Sequence, residues 1–131
     1  MLNRKLLLIA LSFSLFAHSS FVLSADVKCS LDSGQICTSH AKDMEGKTVE
    51  MCGLVAATKR FAKGYYINFD QKFPNQTITG VIWDDNLNNF QTQIGADISK
   101  IDGKALCMKG KIGSFQGRLQ IVGYDKFKLQ E

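Results

Sequence analysis

The sequence predicts a small all-β barrel carrying one helix, and two patterns in it carry that expectation. Five short segments alternate apolar and polar residues with a period of two, as strands with one buried face do. Between the third and the fourth the period lengthens to three or four residues, the spacing of a helix face. Length agrees, since 131 residues with 45% hydrophobic and 21% charged fit one globular domain and leave no room for a second.

The first strand is expected over Lys47 to Thr58, where Val49, Met51, Gly53 and Val55 share one parity and Glu50, Cys52 and Leu54 the other. Gly64 to Phe69 and Thr77 to Trp83 are short, aromatic and β-branched, and Pro74-Asn75 marks the turn in the link between them. The helix runs from about Asp85 to Ile101 on Leu87, Phe90, Ile94, Ile98 and Ile101, with Asp84 and Asp85 as caps and a loosening at Gly95. Gly103 stops it. Leu106, Met108, Gly110 and Ile112 then alternate with Cys107, Lys109 and Lys111, and a turn over Gly113 to Gly117 leads into a last strand from Arg118 to Gly123. One internal echo accompanies this pattern: Gly46-Lys47 precedes Gly53 and Gly103-Lys104 precedes Gly110 by the same distance.

Strand, strand, strand, helix, strand, strand is the order of the OB-fold, a five-stranded Greek-key barrel, and SH3-like barrels normally lack the helix. The segments Ala41-Lys42, Gly46-Lys47, Cys52-Gly53-Leu54-Val55, Tyr66-Ile67-Asn68-Phe69, Phe73-Pro74-Asn75-Gln76, Val81-Ile82-Trp83, Gly103-Lys104, Gly110-Lys111-Ile112 and Gly117-Arg118 strengthen it. Through them the chain resembles small bacterial OB-fold modules of the tRNA-anticodon-binding-like class, similar to those that accompany extracellular nucleases. The resemblance spans about Ile36 to Val122. It implies an exported bacterial protein whose barrel binds single-stranded DNA or RNA, and it implies no catalysis, because the nuclease work of such proteins resides in a separate domain.

Ahead of the barrel, Arg4 and Lys5 introduce the apolar run Leu6 to Ala17, which His18, Ser19 and Ser20 end well short of a membrane span of about 20 residues. Residues 1–25 are therefore read as a signal peptide, 26–44 as an N-terminal extension with a short helix, and 45–131 as the OB-fold domain. The expected location is the periplasm or the exterior, with no stable membrane insertion after cleavage. Cysteine use fits export, because Cys29, Cys37, Cys52 and Cys107 all follow the signal and an even number in a short secreted chain implies disulfides. Four cysteines allow three connectivities. Cys52 and Cys107 lie on the non-core parity of the first and fourth strands, neighbours in an OB-fold, so Cys52–Cys107 with Cys29–Cys37 is the expected set.

No cofactor or metal is expected. There is no Cys-x-x-Cys pair, and His40 is the single histidine after residue 25. Asp84 and Asp85 with Arg60 and Arg118 are the raw material for a metal-dependent nuclease, which needs arginines, a base and metal ligands in one cleft. Binding has more to draw on. With Ile67, Phe69, Ile78 and Ile82 inward, Tyr66, Asn68, Thr79, Val81 and Trp83 face outward, on the side where OB-folds hold single strands. The nucleic-acid-binding candidates are Lys59, Arg60, Lys63, Tyr66, Asn68, Trp83 and Arg118. Tyr66 and Trp83 either stack bases or pack beneath the N-terminal extension. Charge is a weak guide, because residues 26–131 carry a net +2, with +4 after residue 50 offset by −2 before it. A peptide, a glycan or a small molecule on the same face is the alternative partner.

Overall fold

The computed structural model describes residues 26–130, so the expected signal peptide at 1–25 lies outside the described residues. Six strands form one sheet: β1 (Gln35–Cys37), β2 (Thr48–Phe61), β3 (Gly64–Phe69), β4 (Thr79–Trp83), β5 (Ala105–Phe115) and β6 (Arg118–Gln130), with helix α1 (Asp84–Ile94) between β4 and β5. Strands β2 to β6 close a ring through antiparallel β2–β3, β3–β4, β5–β6 and β2–β5 pairs and one parallel pair, β4–β6. A closed ring leaves no free edge among these five strands. The first half of β2 pairs with β5 and the second half with β3, and a register shift between Val55 and Ala57 lets the strand bend from one neighbour to the other.

The inward parity predicted from the sequence fills the barrel. Met51, Val55, Ile67, Phe69, Ile82, Leu106, Met108 and Ile121 are all completely buried. Phe90 of α1 is buried with them and meets Phe127 edge to face at 4.8 Å.

The helix is shorter than the apolar spacing predicts. It ends at Ile94, where Gly95 adopts a left-handed conformation (φ 69°) and donates its N–H to the Gln91 carbonyl. A separate 3₁₀ turn, Ile98–Lys100, then carries Ile98, with Ile101 directly after it, into the same core. Two elements thus share one stripe of apolar residues. The caps differ as well: Trp83 holds the N-cap position with no side-chain bond, while Asp84 and Asp85 lie in the first turn, where the helix dipole favours negative charge. Two strand features exceed the expectation. Strand β6 runs seven residues past Gly123, because its second half pairs with Ala105–Met108 and α1 holds it there: the Phe127 N–H donates to Gln93 Oε1 at 3.0 Å, and Asn86 Nδ2 donates to the Gly123 carbonyl at 3.3 Å. Strand β1 is the other, three residues too short to show a period, lying parallel to Glu50–Cys52 outside the ring.

The internal glycine echo marks a local two-fold in the β2–β5 pair. Gly46 (φ 85°) and Gly103 (φ 81°) turn the chain into these strands, and each donates its N–H across the pair at 2.7 Å, to the Ile112 and Val55 carbonyls respectively.

The cysteines pair as Cys29–Cys37 and Cys52–Cys107. Cys52 and Cys107 are direct register partners with Cα atoms 4.0 Å apart, so the second bridge joins β2 to β5 from the outside of the barrel. It is buried all the same, because the extension passes over it: the Lys28 N–H donates to Gln130 Oε1 at 2.9 Å, and Gln130 Nε2 reaches Cys52 Sγ. Beside it Glu50 accepts from Gln35 Nε2 of β1 and from Lys126 Nζ of β6, each at 3.0 Å. Burial alone pushes the Glu50 carboxyl up, but the bonds from Gln35 and Lys126 and the charges of Lys126 and Lys109 outweigh it, so its pKa lies below the ordinary value. A depressed folded pKa gives stability that is complete above the unfolded value and is lost as pH falls through the folded one. Glu50→Gln is therefore expected to make stability fall less steeply between about pH 5 and about pH 3. Chemical denaturation at a series of pH values checks this, and parallel curves for the two proteins would contradict it.

Candidate functional site

Register places the outward residues of β2, β3, β4 and β6 in rows across the barrel. One row reads Ala57, Asn68, Thr79, Gln120 and the next reads Lys59, Tyr66, Val81, Val122. Each step between neighbours is about 4.8 Å, so a row presents side chains over some 15 Å. Above these rows opens a cleft of about 530 Å³, with Asn68, Thr79 and Gln120 on its floor and Lys59, Phe61 and Tyr66 along one side. The far wall is built by two links. One is the β3–β4 loop, which contributes Phe73 and Gln76; the other is the β5–β6 hairpin tip, which contributes Phe115, Gln116 and Arg118.

The hairpin tip takes its shape from a local cause. Gln116 (φ 52°) and Gly117 (φ 75°) are both left-handed, which is the two-residue turn whose twist matches antiparallel strands. The regular pairing of β5 and β6 thus extends to Phe115 and Arg118, and the hairpin projects as a wall where the sequence reads as a turn over all of Gly113 to Gly117. Arg118 then places its guanidinium 4.3 Å from the centre of the Phe73 ring and joins the two walls by a cation–π contact. Phe73 and Phe115 are 60% and 57% exposed, large apolar surfaces held at the mouth of a cleft.

Tyr66 lies in the cleft with one face already covered, since Phe61 stacks on it at 4.2 Å and 18°. Trp83 meets Phe61 edge to face at 5.6 Å and extends the aromatic row beyond the cleft. Neither ring packs under the extension, whose strand β1 lies along Glu50–Cys52, the other half of β2.

Of the seven candidates, Lys59, Tyr66, Asn68 and Arg118 line the cleft together, and Arg60, Lys63 and Trp83 lie outside its lining. Arg60 is on the opposite parity of β2 from Lys59. There it forms a two-pronged pair with Asp84, the second bond Nη2 to Oδ2 at 2.9 Å, and lies 5.1 Å from the Tyr65 ring centre. The hydrogen bonds that Arg60 donates to the Asp84 carboxylate raise its pKa above the ordinary value. Lys63 is exposed in the β2–β3 link, where its carbonyl accepts the Asp84 N–H. The lining residues that the sequence did not name as binding candidates include Phe61, Phe73, Gln76, Phe115, Gln116, Leu119 and Gln120. Phe61 had a signal, since it shares parity with Lys59. Phe73 and Phe115 had one too, as aromatics beside turns.

Two cations, four aromatic rings, four side-chain amides and no carboxylate line the cleft. Among the described residues no three His, Cys, Asp or Glu side chains come together as a metal site would need, and His40 is exposed in the extension. No helix among the described residues is long and apolar enough to cross a membrane.

Searches of protein-family models and of characterised proteins return no match to this chain. Solved structures do match it. A chain of the Stn1–Ten1 complex from S. pombe aligns at a TM-score of 0.50 and 16% identity over 64% of this chain and 58% of that one. An OBody, AM1L10, bound to hen egg-white lysozyme, aligns at 0.51 and 12% identity over 73% of this chain and 92% of its own. A second, AM3L15, also bound to lysozyme, aligns at 0.52 with 10% identity. The chain is an OB-fold. At such identities the likeness concerns the fold, and the cleft lies on the outer face where OB-folds hold oligonucleotides and oligosaccharides.

Proposed function

We propose that this is an exported, non-catalytic binding protein that holds single-stranded nucleic acid in the cleft over β2, β3, β4 and β6. The observation that carries the reading is the composition of the cleft: aromatic rings beside Lys59 and Arg118, with no carboxylate to repel a phosphate. Bases stack on exposed rings whatever their sequence, and cations follow the backbone. Trp83 continues the aromatic row for a strand that leaves the cleft, and Lys63 is available to its phosphates, while Arg60 is already neutralised by Asp84. The basic Met1–Lys5, the apolar Leu6–Ala17 and the two disulfides support export to a bacterial periplasm or beyond. The Arg60–Asp84 pair also argues against a nuclease, since it stands apart from Arg118 and the cleft.

The test is fluorescence anisotropy of the purified protein with a short single-stranded oligonucleotide at rising salt. Each phosphate contact should contribute a slope of about −0.7 to log K against log salt, so Lys59→Glu with Arg118→Glu should flatten the dependence by about 1.4. Tyr66→Ala should cost about 1–3 kcal/mol of binding in a protein that stays folded by circular dichroism. Absence of binding at low salt would overturn the reading. Salt-insensitive binding of a peptide or glycan would replace it, a reading favoured by the amides of the cleft and by a fold that, as an OBody, is seen bound to a protein.

A further inference from the structure

The floor of the cleft is built differently from a sequence-neutral stacking platform. Asn68 is 6% exposed, one of only two buried polar side chains among the described residues, and it sits beneath the aromatic side of the cleft. It belongs to a short relay: Gln76 Nε2 donates to Thr79 Oγ1 at 3.0 Å, and the Thr79 hydroxyl donates to Asn68 Oδ1 at 3.3 Å. The hydroxyl is thereby used in both directions. Gln76 Oε1, shielded from solvent, has no partner among the described residues. A shielded acceptor without a donor is an unfavourable arrangement that a bound N–H group would relieve.

The relay leaves a fixed remainder. An Asn–Thr–Gln chain has two amides, each with a donor end and an acceptor end, joined through one hydroxyl. With Asn68 Oδ1 and Gln76 Nε2 each engaged with Thr79, Asn68 Nδ2 and Gln76 Oε1 are the amide ends left without a protein partner among the described residues. Reversing both amides exchanges the two but leaves the same pair, one donor and one acceptor on either side of Thr79. A phosphate offers acceptors only, and a stacked ring face offers neither. A nucleobase edge offers a donor next to an acceptor, the complement of the two amide ends that the relay leaves without a partner.

We infer that Asn68, Thr79 and Gln76 form a base-reading subsite, which takes the hydrogen-bonding edge of one nucleobase and gives the protein a sequence preference. This rests on the single-stranded nucleic-acid reading and goes beyond it, because stacking and phosphate contacts alone are indifferent to sequence. A matched donor and acceptor discriminate a wrong base by about tenfold or more.

The experiment measures the affinity of the purified protein for oligo-dT, oligo-dC and oligo-dA of equal length at one salt concentration. The wild type should separate the tightest from the weakest by about tenfold or more. Gln76→Met, which keeps the length of the side chain and removes its amide, should bring the three affinities within about threefold while leaving the salt slope unchanged. Asn68→Asp, which exchanges the amide donor for an acceptor at constant shape, should do the same or reorder the three. Equal wild-type affinities, or a Gln76→Met protein that keeps the original ranking, would overturn the subsite and leave the single-strand reading standing. No binding of any of the three would overturn both.

Discussion

Replacing both Cys52 and Cys107 by Ala should lower the stability of the barrel by about 4 kcal/mol, the expected worth of closing a loop of this length. The bridge joins residues 55 apart in sequence, and an unfolded chain freed from it gains the corresponding conformational freedom. That span holds the end of β2, all of β3, β4 and α1, and the start of β5, so the constraint acts on more than half of the barrel. For a domain of this size the melting temperature should drop by more than about 15 °C. Cys29→Ala with Cys37→Ala is the comparison. It opens a loop of only 8 residues, and those residues lie in the extension outside the ring, so the barrel should melt within a few degrees of wild type. Thermal unfolding of the oxidised proteins decides the matter, and equal losses from the two double variants would contradict it.

The fold was legible because its signals are periodic and local. Ile67 and Phe69 inward with Tyr66 and Asn68 outward is a statement about parity, and parity survives folding unchanged. The Cys52–Cys107 pair followed from the same parity once the strand order was known. What was not legible depends on long-range partners. Lys126 to Gln130 alternates around only two apolar residues, Phe127 and Leu129, too short a pattern to carry the last strand past Gly123; Gln93 and the first half of β5 extend it. Apolar spacing cannot separate one helix from a helix followed by a 3₁₀ turn, because both bring Ile94 and Ile98 to the same core. At the site, the rows of β3 and β4 could be read, but the far wall could not. Arg118 reaches Phe73 across a gap of 45 residues in sequence, and Arg60 is withdrawn by Asp84, 24 residues away.

Gly110→Ala should destabilise the barrel by about 3 kcal/mol or more, a large share of the stability of a domain of this size. Gly110 faces Gly123 across the β5–β6 pair, next to the register shift between Met108 and Gly110 where the two strands bend. A Cβ there would stand 2.1 Å from the Val122 carbonyl oxygen and 2.8 Å from Ile121 Cγ1. The first of these atoms is backbone, so no rotamer change relieves the clash; the strands must separate at the point where β6 leaves β4 and continues along the first half of β5. Gly113→Ala, three residues along the same strand, separates this effect from the general one of removing a glycine. A Cβ at Gly113 meets nothing within 4 Å and its φ is ordinary, so the change should be neutral or stabilise by up to about 1 kcal/mol through the unfolded chain. Urea denaturation of both variants beside wild type measures the contrast, and a Gly110→Ala protein as stable as Gly113→Ala would show that β5 and β6 are not held at this distance in solution.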